Sequence, residues 1–140
     1  MENKIERFII AQEKDYQKAL QEIKNGKKTS HWIWYIFPEL KGLGKSKTSM
    51  YYGITNLQEA KDYYNNDYLR NHLIEICEQL LSIDKDIKEI FGYPDYLKVK
   101  SCITLFEIVA KEEMVFKKIM DKFYNGERDQ ITIQKLEENQ

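Results

Sequence analysis

Apolar residues recur every three or four positions along most of this chain and almost never at every second position. The first segment sets the pattern: Ile5, Phe8, Ile9, Tyr16, Ala19, Leu20 and Ile23 form one stripe with Gln12, and Gly26 follows where a helix end favours glycine. Residues at that spacing share one helix face, so each such segment can bury one side only against another helix. Thr55-Asn56-Leu57-Gln58 matches a capping box and opens a short helix to about Tyr64. Asn66 or Asp67 can cap the next, which carries Leu69, Leu73, Ile76, Cys77, Leu80 and Leu81 on one face. Asp84 can cap a turn or two through Ile90, closed by Gly92, and Pro94 suits the first turn of a helix running to about Ala110. Glu112 to Tyr124 has Val115, Phe116, Ile119, Met120 and Phe123 inward, and Gln130 to Glu138 can form a last helix. The expectation is an all-α fold, a compact bundle of six to eight helices in one domain over residues 1–140. One irregular segment, rich in glycine and aromatics, interrupts it around residues 27–56.

Size and charge narrow the function classes. A chain of 140 residues is close to the ~150 expected of one domain and long enough to bury a core without staples. A net charge of −1 argues against a nucleic-acid footprint over the whole surface. No apolar run approaches the ~18 residues of a membrane span, and the opening MENKIERF lacks the basic and apolar regions of a secretory signal. A cytoplasmic protein is expected. Cys77 and Cys102 make neither a disulfide framework nor a zinc cluster, no metal-ligand spacing recurs, and no cofactor is indicated. His72, between polar neighbours, reads as solvent-facing.

The irregular segment concentrates the unusual residues. Both tryptophans lie in His31–Phe37, HWIWYIF, which holds four aromatics in seven residues where the 13% average implies about one. Gly42, Gly44 and Gly53 follow, three of the six glycines. From Lys24 to Lys47 the chain carries six lysines and one glutamate, or +5, leaving −6 for the rest.

Thr29-Ser30-His31-Trp32-x-Trp34-x-x-Phe37-Pro38, then Gly42-Leu43-Gly44-Lys45-Ser46, then Tyr52-Gly53-Ile54, resembles the signature of domain of unknown function family 1810. Asp95-x-x-Lys98-x-x-Ser101-x-x-Thr104-Leu105-Phe106 resembles its second motif, with Phe91-Gly92 before it and Phe123-Tyr124-Asn125-Gly126 near the end. The likeness runs from about Ile5 to Leu136; Cys102 departs from it, standing where the family often has serine. The resemblance implies a small, mainly helical bacterial protein and assigns no activity.

The chemistry of the motifs therefore has to be read from the residues. Tryptophan and tyrosine offer flat faces with one polar handle each. On a short helix after Ser30, Trp34 and Phe37 would share the core-facing side while Trp32 and Tyr35 project elsewhere. His31 would sit by the unpaired donors of the first turn, able to act as a general acid or base. The alternative is a plain core helix. Gly42-Leu43-Gly44-Lys45-Ser46 is not a Walker A loop, because Glu39 stands where that loop needs its first glycine and no strand precedes it. Its glycines can still form an anion-binding nest with Lys45, and Ser46 or Ser49 can cap a following helix; a simple turn needing positive φ at two positions is the alternative. Tyr52 can line the same pocket or pack in the core.

On the Pro94–Ala110 helix, Lys98, Ser101 and Cys102 can share a face, and Asp95 can pair with Lys98. Polar groups on an apolar helix need partners: either the Gly42–Lys45 turn or a bound anion. Nothing around Ser101 marks it as a nucleophile, so a Ser101-His31-Asp95 hydrolase is disfavoured.

Three functional readings follow. The first is a site for a small anionic, planar, nucleotide-like ligand, with or without a reaction. It would be built from His31 as acid or base and from Trp32, Trp34, Gly42, Gly44, Lys45, Ser46, Tyr52, Lys98 and Ser101 as binding residues. The second is a protein- or nucleic-acid-binding module using the basic, aromatic segment 24–47 with Trp32 or Tyr35 exposed. In the third, both motifs only stabilise an irregular crossing. Burial separates them: tryptophans in a concavity favour the first, on a convex face the second, and fully buried the third. The first is preferred.

Overall fold

The computed structural model describes residues 4–138, and these are all-helical. Nine helices follow one another: α1 Glu6–Lys24, α2 Ile33–Ile36, α3 Lys47–Tyr52, α4 Leu57–Asn65, α5 Asp67–Leu81, α6 Ile87–Phe91, α7 Asp95–Val109, α8 Val115–Phe123 and α9 Gln130–Glu138. The number exceeds the expected six to eight because the 27–56 segment is not wholly irregular. It contains α2 and α3, of four and six residues. None of the helices is long and apolar enough to cross a membrane.

Helix starts follow the capping chemistry, with shifts of a residue or two. Asn56, not Thr55, caps α4 by accepting from Glu59 N–H, and Glu59 returns the bond to Thr55 N–H. Asn66 caps α5 through Leu69 N–H, and Asp86 rather than Asp84 caps α6 through Lys88 N–H.

Two helices organise the packing. α5 lies against α1, α4 and α8; α7 lies against α2, α4, α6, α8 and α9. α7 is buried on every side from Ser101 to Phe106, as its neighbours require. It ends up holding the last helix as well. Ser101 Oγ and Thr132 N–H both lie against Asp129 Oδ2, and Asp129 N–H donates to Thr104 Oγ1.

His72 is not solvent-facing. It is half-buried, stacked flat on Tyr16 with ring centroids 3.5 Å apart. Gln12 Nε2 donates to Tyr35 O and Tyr63 Oη, so Gln12 Oε1 is left to accept from His72 Nδ1–H at 2.9 Å. Burial lowers the His72 pKa, because the charged form would lose its hydration between two helices.

Candidate functional site

The site begins with how the chain leaves α1. Glu22, on the last turns of α1, is buried, and its Oε1 accepts from Thr29 N–H at 2.7 Å, Ser30 N–H at 2.9 Å and Trp32 Nε1–H at 3.0 Å. Burial works to raise the Glu22 pKa, but the Ser30 side chain and these donors outweigh it and bring it down to about 2. The Thr29-Ser30-His31-Trp32 run is therefore a chain reversal folded around one carboxylate. Trp32, 1% exposed, is drawn into the core against Phe37 and Phe91. Lys28 covers its ring, with Nζ 5.1 Å from the centroid, and pairs with Asp95 at 2.9 Å. Asp95 thus meets Lys28 and not Lys98.

This reverses the expected roles of the two tryptophans. Trp32 and Tyr35 are core residues at 1% and 8% exposure, while Trp34 is only part-buried and turns toward α7. The reason lies at α2's entry: Trp32 occupies the N-cap position, so its indole leaves the helix direction and reaches back to Glu22.

After α2, Glu39–Lys41 runs beside Ile54. Ile54 N–H donates to Glu39 O and Lys41 N–H donates to Ile54 O, a single parallel bridge. Gly53 makes the approach possible, since a Cβ there would fall 2.5 Å from Lys41 Cα. Between these two points the chain turns through Gly42 and Gly44 into α3, which Ser46 caps by accepting from Ser49 N–H. Only Gly42 of the glycine pair has positive φ. Gly44 is required for space instead, because a Cβ there would lie 2.6 Å from Ser49 Oγ.

α2, α3 and α7 enclose a narrow cleft lined by Ile33, Trp34, Phe37, Glu39, Ser49, Tyr52, Gly53 and Lys98. Its room for water centres is about 10 Å³, enough for about one water. Trp34 lines it, and the Trp34 Nε1 is buried without a hydrogen-bond partner; among the described residues no other buried side-chain N or O shares that state. The Lys98 ammonium lies 5.6 Å from the Trp34 ring centroid, a cation–π distance, and no carboxylate of the described residues pairs with it within 4.0 Å. Glu39 has its pKa pushed up to about 7, first by burial and then by the charges of Asp129 and Asp95, against the opposing pull of Lys98 and Ser101. A carboxyl poised near neutrality beside a lysine and an unpaired N–H is a common mark of a functional site.

Of the residues expected to form a site, the structure brings Trp34, Tyr52 and Lys98 into the cleft, with Gly44 over the Glu39 carboxyl. Ser101 acts on Glu39 but does not line the cleft; its one hydroxyl proton is shared between Leu97 O and Asp129 Oδ2, contacts that tie α7 to the start of α9. His31, Gly42, Lys45 and Ser46 are exposed and line no part of the cleft, and Trp32 is in the core. Sequence reasoning missed Glu39 and used Ser49 only as a cap. The available signal was that Glu39 is the lone acid among six lysines, set between apolar Phe37-Pro38 and Leu40.

No curated protein matches this chain. A solved structure that does, the conserved hypothetical protein Rv1873 from Mycobacterium tuberculosis, is 36% identical with a TM-score of 0.93, over 95% of this chain and 96% of that one. A family model described as a protein of unknown function, DUF1810, matches residues 2–136, so this chain belongs to the DUF1810 family.

Proposed function

We propose that the chain works as one cytoplasmic domain that binds a small anionic, planar, nucleotide-like molecule at the Trp34–Glu39–Lys98 cleft. The observation that carries this reading is the buried, unpartnered Trp34 Nε1–H. An orphaned donor of this kind costs about 1–3 kcal/mol, and a ligand oxygen would satisfy it. Lys98 supplies the opposite charge, and Trp34 and Tyr52 supply flat apolar faces. The cleft admits about one water-sized group, so an oxygen of the ligand enters while its planar part lies outside. The carboxyl of Glu39 is the group at the cleft able to exchange a proton at neutral pH. The other reading, docking of a protein or nucleic acid on segment 24–47, relied on Trp32 or Tyr35 as exposed stacking faces, and both are buried.

The test is a thermal-shift screen with nucleoside phosphates, dinucleotides and sugar phosphates. At least one should raise Tm in the wild type, because a ligand that binds only the native state stabilises it by mass action. The rise should be lost in Trp34→Phe, which keeps a ring but removes the N–H, and in Lys98→Met. No rise with any compound, or an undiminished rise in both variants, overturns the reading.

A further inference from the structure

Resting on that reading, we propose that the cleft takes up its ligand's oxyanion together with a proton: Trp34 Nε1–H and the Lys98 ammonium donate to the anion, and Glu39 holds the proton as a neutral carboxylic acid. The argument is one of charge balance in a nearly closed space. Glu39 lines the same cleft as Trp34, Ser49 and Lys98, and Gly44 approaches it so closely that a Cβ there would stand 3.6 Å from Glu39 Oε2.

The charged groups acting on Glu39 are few. α7 presents Lys98 and Asp95, with the buried thiol of Cys102 on the same helix; the residue before α9 presents Asp129. Asp95 is neutralised by Lys28 at 2.9 Å. Lys98 is thus the main cation acting on a carboxyl that Asp129 also repels. An oxyanion entering beside an ionised Glu39 would place a further negative charge on that ammonium, in a cleft where both Glu39 and Lys98 are partly shielded from water. Protonation of Glu39 removes the excess and turns one of its oxygens into a donor. The carboxyl is already held near neutrality, with a pKa of about 7, so a proton from solvent completes the balance without any other reactant. Oxyanions are therefore the ligand class, and neutral amides or amines bind without proton uptake.

Calorimetric titration of the wild type with sulfate, acetate and a dinucleotide tests this, because none of the three changes charge between pH 6 and 9. At pH 8, repeating each titration in two buffers of different ionisation heat should show close to one proton taken up per ligand. Apparent affinity should fall about tenfold per pH unit above about pH 7. Glu39→Gln should bind without proton uptake and with affinity flat over the same range. Sulfate and dinucleotide binding without acetate identifies a phosphoryl group as the ligand's acid; acetate alone identifies a carboxylate. Binding in the wild type with no proton uptake overturns the proton-coupled inference and leaves the binding site standing. Equal uptake in Glu39→Gln does the same. No binding of any of the three overturns the proton-coupled inference, and a blank thermal-shift screen beside it overturns the binding site as well.

Discussion

Glu22 and Glu39, one before and one after α2 in the chain, are carboxylates whose surroundings drive them in opposite directions. Glu22 gains hydrogen bonds only as the anion. Its folded pKa of about 2 lies below the ordinary 4.5, so its stabilisation is present above about pH 4.5 and is lost as pH falls toward 2. Glu22→Gln should cost about 2–4 kcal/mol at pH 7, and urea midpoints should show the gap to wild type closing between about pH 4.5 and 2. Glu39 has the reverse sign. Its folded pKa of about 7 lies above 4.5, so stability is fully present below about pH 4.5 and declines as pH rises to about 7. The Tm of Glu39→Gln should therefore gain on wild type across that range. The tryptophans divide the same way. Trp32→Phe strips Glu22 of a donor and should cost about 2–4 kcal/mol, whereas Trp34→Phe removes an unpaired N–H along with some packing and should cost less than about 1 kcal/mol. Equal urea midpoints for the two variants would contradict these assignments. Neither glutamate was legible beforehand. Glu22 looks like one more polar position on an amphipathic helix, because its partners sit seven to ten residues on, across a turn.

At the scale of elements, the α2–α3 region is held by close approach more than by apolar periodicity. Gly53→Ala would drive a Cβ into Lys41 Cα, which is backbone and cannot rotate away, and should cost about 2–3 kcal/mol with loss of the Glu39–Ile54 pairing. Gly44→Ala meets the Ser49 side chain, which can give way in part, so a smaller loss is expected, about 1 kcal/mol. Thermal melts of the two variants check the order. The long helices were readable because their apolar residues persist over several turns: α1, α5 and α7 fall within a residue or two of their expected limits. α2 and α3 were legible only as local helix starts after Ser30 and Ser46, since four and six residues are too few for a 3.6-residue period to fix their extent. Helix starts moved by one or two residues where two cap formers stand close together, as at Thr55-Asn56 and Asp84/Asp86.

At the scale of the molecule, α7 connects scaffold and cleft: buried all round from Ser101 to Phe106, it presents a part-buried Lys98 one turn earlier to Trp34 on α2. That Lys98 needs a partner was legible, because it is a lysine on an apolar helix; it meets the Trp34 ring rather than the Gly42–Lys45 turn. Which side chains enter was only half legible. Trp34, Tyr52 and Lys98 do, while His31 and Lys45 stay in solvent, because the fold turns on contacts to Glu22 and Gly53 that no local spacing reveals. With only two tryptophans, the chain offers a direct test of the cleft. A ¹H–¹⁵N spectrum should hold two indole signals: Trp32, bonded to Glu22, and Trp34, unpaired and missing in Trp34→Phe. On titration with a dinucleotide or sulfate, the account predicts that the Trp34 signal moves downfield in a saturable way while the Trp32 signal stays. A Trp34 signal that never moves with either compound, or a Trp32 signal that moves in its place, would contradict it.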